Sequence, residues 1–242
     1  MALKADTRYS GRAQTQTQTA EMDAGLRKYM LGVYNYMASG LLVSAVVAML
    51  ASSSPAVMQT IFGSGLAYVV MFAPLGLLLA MNFAFNKIST PVLQGMYWAF
   101  VALFGLSLST IFLVYTSADI VRVFFITAAA FGGLSLYGYT TKKNLSGMGS
   151  FLIMGLIGII IAMVVNMFLE STMMSFVISV LGVLIFAGLT AFDTQRIKST
   201  YIQHRMQGDV ATRSAVMDAV ALYLNFVNMF MFLLHLFGGG NE

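Results

Sequence analysis

The chain has 242 residues, 59% of them hydrophobic and only 9% charged, whereas a soluble domain is about one quarter charged; a water-soluble fold is excluded and an all-α integral membrane protein is expected. Cysteine is absent, which removes disulfides, thiolate nucleophiles and Cys-ligated metals. The net charge of +4 sits at the ends of apolar stretches, where it orients a membrane protein, and gives no support to nucleic-acid binding.

Residues 1–28 are polar, with Gln and Thr alternating from Gln14 to Thr19 and no apolar run of signal-peptide type; they are expected to form a disordered cytoplasmic tail. A hydrocarbon core of about 30 Å needs about 20 apolar residues in a helix. Seven runs of that kind make up a membrane domain over 29–237: Tyr29 to Ala51, Ile61 to Phe85, Val92 to Tyr115, Ile120 to Thr140, Met148 to Leu169, Met173 to Phe192 and Ala215 to Phe237, with 238–242 as a short tail. Each is too long for a tilted barrel strand and lacks strict alternation, so helices are implied. Pro74 falls inside the second run and should kink it, with the freed carbonyl satisfied by a neighbouring helix or water. Gly132, Gly133, Gly155, Gly158, Gly182 and Gly188 are candidate points of close helix approach.

Five of the 13 basic residues precede the first run, Lys87 follows the second, Lys142 and Lys143 follow the fourth, and Arg196, Lys198, Arg205 and Arg213 follow the sixth. Arg122 alone lies at the opposite side. Lys and Arg stay preferentially in the cytoplasm, so the alternation implies an N-terminus inside and a C-terminus outside the cell (inner) membrane.

Ionisable and amide groups at membrane depth cost free energy and are therefore the informative ones. Asp193 closes the sixth run, and Asp218 opens the seventh, which also carries Asn225, Asn228 and His235. Asp218 and Asn225 are seven residues apart, within about 20° on a helix and roughly 10 Å along its axis. A polar stripe of this kind belongs in a bundle interior, and for Asn228 and His235 the commoner reading is simple interhelical hydrogen bonding. Asp193 and Arg196, and likewise Asp119 and Arg122, are spaced i,i+3 and can pair on their own helices.

At the end of the sixth run, Gly188-Leu-Thr-Ala-Phe192-Asp193-Thr194-Gln195-Arg196-Ile197 resembles the signature of the Bax inhibitor-1 family, in which an aromatic residue precedes Asp-Thr-Gln. Ala221-Leu-Tyr-Leu-Asn225-Phe-Val-Asn228-Met-Phe230 resembles that family's seventh-helix signature, and Lys142-Lys143-Asn144-Leu145-Ser146 before the fifth run agrees with it. The resemblance implies a central polar seventh helix surrounded by the other six and a pH-sensitive passive calcium leak. It also implies two aspartates, one on each of the last two helices, that share a proton. Asp193 matches the first position; Asn225 stands at the second and has no acidic proton to share. Asp218, two turns nearer the cytoplasm, can substitute as the second acid, so Asp193, Asp218 and Asn225 are the expected gating residues. Arg196, Asn228 and Lys87 are expected to support them, Lys87 being the nearest cation to the family's basic partner on the second helix. Asp193 and Asp218 would offer passing calcium the hard oxygen ligands it prefers. Calcium is then the permeant ion, and no cofactor is implied.

The alternative function is a regulator that binds a membrane-anchored protease through the N-terminal tail and the basic segment Arg196 to Arg213. No enzyme is expected, because there is no His-Glu-x-x-His motif, no Cys and no Ser and His pair. No run carries the mid-span lysine that a retinal Schiff base requires.

Overall fold

The computed structural model describes residues 3–239, with side chains over 22–239. It is helical throughout, without a strand among the described residues. Among the described residues nine helices follow one another: α1 (Leu3–Ser52), α2 (Pro55–Phe62), α3 (Leu66–Ala84), α4 (Thr90–Leu108), α5 (Ile111–Val114), α6 (Ser117–Thr140), α7 (Ser146–Leu169), α8 (Thr172–His204) and α9 (Gly208–Phe237). Among the described residues seven stretches are long and apolar enough to cross a membrane: Met22–Ser52, Leu66–Ala84, Thr90–Val114, Ser117–Thr140, Ser146–Leu169, Thr172–His204 and Gly208–Phe237. The seven expected spans are therefore present.

The differences lie at their ends. The backbone of α1 extends to Leu3, and Leu26, ahead of the first expected run, is already buried in the bundle with Tyr29. Ile61 belongs to the short helix α2, which opens at Pro55, where a missing N–H costs nothing. The third span is divided between α4 and α5, and buried Ser109 at the break bonds back to the Leu106 carbonyl at 2.7 Å. The sixth helix runs on past Asp193 to His204, so Asp193 lies inside a helix rather than at its end. Arg205, with φ +43°, and Gly208, with φ +59°, then turn the chain sharply into α9. Pro74 is buried within a continuous α3.

The most buried span is α9, which packs chiefly against α1, α4, α6 and α8; α3 joins through α4, and α7 through α8. Four helices rather than six form its immediate surround. The approach of α1 to α4 is set by small residues: a Cβ at Gly105 would collide with the Ser44 backbone, and one at Gly40 with the Tyr97 hydroxyl. Gly138 meets the Ala191 backbone in the same way and brings α6 against α8. Of the glycines singled out in sequence, Gly155, Gly182 and Gly188 do face neighbouring side chains, whereas Gly132, Gly133 and Gly158 face open space.

One end of the bundle collects the basic connections. Lys198 Nζ donates to the Tyr139 carbonyl at 2.8 Å and lies over the Tyr139 ring. Arg213 lies over the Phe85 ring, and Thr90 donates to Asp209 at 2.5 Å. The turns after α3, α6 and α8 are thus neighbours. Arg122 stands at the other end, paired with Asp119, whose backbone N–H is capped by Thr116. There the sequence reading of an i,i+3 structural pair matches the geometry.

Candidate functional site

Inside the bundle, α8 and α9 are joined by a polar contact. Asn225 is buried, and its Nδ2 donates to Asp193 Oδ2 at 2.7 Å. The other carboxylate oxygen, Oδ1, accepts from Arg196 Nε at 3.0 Å and lies 2.9 Å from Arg196 Nη2. Asp193 is 14% exposed and Arg196 45% exposed, so the pair sits at the edge of the bundle with the carboxylate inward and the guanidinium outward. The helical period explains the placement. Thr190, Thr194, Ile197 and Tyr201 form the buried face of α8, and Asp193 flanks it where α9 passes.

The second acid has a different partner. Tyr29 of α1 donates its hydroxyl to Asp218 Oδ2 at 2.6 Å, and the Tyr29 ring packs 4.8 Å from that of Tyr201 on α8. Asp218 is half-buried and lies in the electrostatic field of Arg196 and Asp193. Its described hydrogen bond goes to Tyr29 rather than to Asp193, which differs from the Asp193 and Asp218 pair expected from the sequence. The two carboxylates stand on different helices, Asp193 on α8 tied to α9 through Asn225 and Asp218 on α9 tied to α1 through Tyr29, and Arg196 pairs with Asp193.

Two residues expected to support the site, Asn228 and Lys87, and His235 at the end of the polar stripe, take other places. Asn228 bonds to the Leu224 carbonyl of its own helix at 2.8 Å. His235 is exposed, so the polar stripe of α9 stops short of the helix end. Lys87 is exposed in the turn after α3 and shares no hydrogen bond or ion pair with the cluster among the described residues; the basic partner is Arg196. The described residues hold no group of three or more His, Cys, Asp or Glu.

Sequence reasoning missed Tyr29 and Tyr201. A signal existed on α1, where Leu26, Tyr29, Val33, Met37, Gly40, Ser44 and Ala48 recur at three- and four-residue intervals and are all buried. It also missed the polar bridge deeper in the bundle, where Ser44 Oγ donates to the Val101 carbonyl and lies 2.7 Å from the Tyr223 hydroxyl.

Fold and site together define a seven-span α-helical membrane protein whose last two helices are joined through a carboxylate and an amide. Residues 26–242 match the family model described as inhibitor of apoptosis-promoting Bax1. The chain belongs to this family, the Bax inhibitor-1 family whose motifs its sequence carries. It is 50% identical over 232 residues to a protein of Caulobacter vibrioides, covering 91% of this chain and 92% of that one. It is 42% identical over 234 residues to a protein of Rickettsia prowazekii, covering 97% and 99%. To the inner membrane protein YbhL of Escherichia coli (strain K12) it is 42% identical over 217 residues, covering 89% and 93%.

Proposed function

We propose that this protein is a pH-sensitive passive calcium leak in which the contact between Asp193 and Asn225 latches α9 to α8. The observation that carries the reading is the 2.7 Å hydrogen bond between a carboxylate and a buried amide on the two helices. Bonds to an ionised carboxylate are roughly twice as strong as neutral ones. Protonation of Asp193 removes its charge, weakens its hold on Arg196 and Asn225, and loosens the latch. Calcium, which prefers hard oxygen ligands, would meet Asp193 and Asp218 in passing.

This single-acid latch replaces the shared-proton pair that the family resemblance implies. The proposed orientation has the N-terminus in the cytoplasm and the C-terminus outside, supported by the gathering of basic turns at one end. An inner-membrane location fits that of the relative described as the inner membrane protein YbhL. Calcium release from proteoliposomes as a function of pH tests the proposal: the wild type should leak faster in acid, and Asp193→Asn should leak at a rate independent of pH. A steep pH response surviving in Asp193→Asn would refute the latch. Absence of flux, with a membrane-anchored protease co-purifying, would favour the regulator.

A further inference from the structure

A second site lies at the basic end, between the turn joining α6 to α7 and the exposed flank of α8. It is a cavity of about 540 Å³ whose lining includes Lys142, Lys143, Arg196 and Lys198 and no acidic residue. Arg196 is paired with Asp193, which stands outside the lining, while Lys142, Lys143 and Lys198 share no ion pair among the described residues and bring unmatched positive charge to one concavity. The orientation rule asks only for basic residues on this side of a membrane; it does not ask that they converge on a recess free of carboxylates.

The recess is also held in shape. Gln195 clamps the turn onto α8, its Oε1 accepting from the Leu145 N–H at 2.8 Å and its Nε2 donating to the Lys143 carbonyl at 2.7 Å. Lys198 is fixed by its bond to the Tyr139 carbonyl and by the Tyr139 ring beneath it. Gly149 lets α7 approach the Phe192 ring closely enough to form the floor. Thr141, Ser150, Ser199 and Thr200 add hydroxyls to the lining, the donor type that phosphate oxygens accept from. Lys142 and Lys143 remain exposed.

We infer that this cavity binds a phosphate group. Basic pockets between spans on the cytoplasmic side suit the headgroups of anionic lipids, and free phosphate presents the same chemistry. Arg196 also belongs to the Asp193 contact, so a phosphate seated here competes with Asp193 for one guanidinium. That consequence rests on the latch reading; the binding itself does not.

Two binding arms distinguish the sources without measuring calcium. In the first, the full chain in uncharged detergent is offered phosphatidylglycerol and phosphatidylcholine, and retained lipid is counted by native mass spectrometry. In the second, inorganic phosphate is titrated by equilibrium dialysis. Each lysine near the anion contributes roughly fivefold in association, so Lys142→Gln with Lys143→Gln should weaken binding about twenty-five-fold. Lys87→Gln, at the same end but outside the cavity, should leave it unchanged. A response in the lipid arm alone identifies a headgroup, and in the phosphate arm alone a soluble ligand. The inference is overturned if neither anion is retained above phosphatidylcholine or the background of dialysis, if the double variant binds as the wild type does, or if Lys87→Gln weakens binding equally. Both lysines are exposed, and matching melting curves establish that the variant is folded.

Discussion

Replacing Asn225 by Leu tests the latch most directly, because leucine approximates the shape of asparagine but cannot donate a hydrogen bond. Asn225 is 5% exposed, so water cannot easily take over its role. The bond it gives to Asp193 is charge-assisted and is worth about 1.5–3 kcal/mol. What remains on Asp193 is Arg196, an ion pair whose guanidinium is nearly half exposed; screening reduces such a pair to about 0–1 kcal/mol. The latch should therefore lose about 2 kcal/mol, or roughly a thirtyfold shift in the ratio of latched to released states. Measured as calcium release from proteoliposomes at neutral pH, the leak should rise by up to that factor, while acid should accelerate it much less than in the wild type. A leak at neutral pH indistinguishable from the wild type, in a variant with an intact melting transition, would refute the argument.

Tyr29→Phe deletes the hydroxyl bonded to Asp218 and leaves a half-buried carboxylate without that donor, so thermal stability in detergent should fall by about 1–3 kcal/mol. Asp218→Asn, by contrast, keeps an oxygen for Tyr29 and should leave the pH response of the leak in place. Gly138→Ala drives a methyl into the Ala191 backbone and should cost about 1–3 kcal/mol, whereas Gly132→Ala, facing open space within α6, should stabilise by up to about 1 kcal/mol; melting curves compare the two. Gln195→Ala removes both bonds that clamp the turn between α6 and α7, and hydrogen exchange over residues 141–146 should quicken while the rest of the bundle is unchanged.

The spans were legible because membrane crossing imposes a length and an apolar content that few other constraints imitate. Their ends were not, because a hydropathy run stops where polar residues begin even when the helix continues. On α8, Arg196, Lys198 and Ser199 mask a buried face that carries on through Ile197 and Tyr201. That periodicity is present in the sequence, but only a period of 3.6 reveals it. The contact between Asp193 and Asn225 could be anticipated from two motifs that both needed a home away from lipid. The Tyr29 and Asp218 bond could not, since it joins residues 189 positions apart and neither residue type specifies the other. Close approaches were half legible. Glycine identity marks where a helix can come near, but only the facing helix decides whether one does, as the contrast between Gly138 and Gly132 illustrates.

The amide at position 225 has a consequence for the shape of the pH response. A pair of carboxylates in contact titrates as a unit, with two apparent steps that belong to neither residue. Asn225 leaves Asp193 as the one proton-accepting carboxylate in its hydrogen-bonded contact, with the amide as donor and Arg196 as counter-ion. A latch of that composition releases on uptake of one proton, so the logarithm of leak rate against pH should approach a slope of one and no more. Asp218 lies in the same electrostatic field and is the group positioned to steepen the curve. A slope near two that returns to one in Asp218→Asn would mean that the Tyr29-bonded acid titrates with the latch, and the one-acid mechanism would have to give way to a coupled pair spanning α1, α8 and α9.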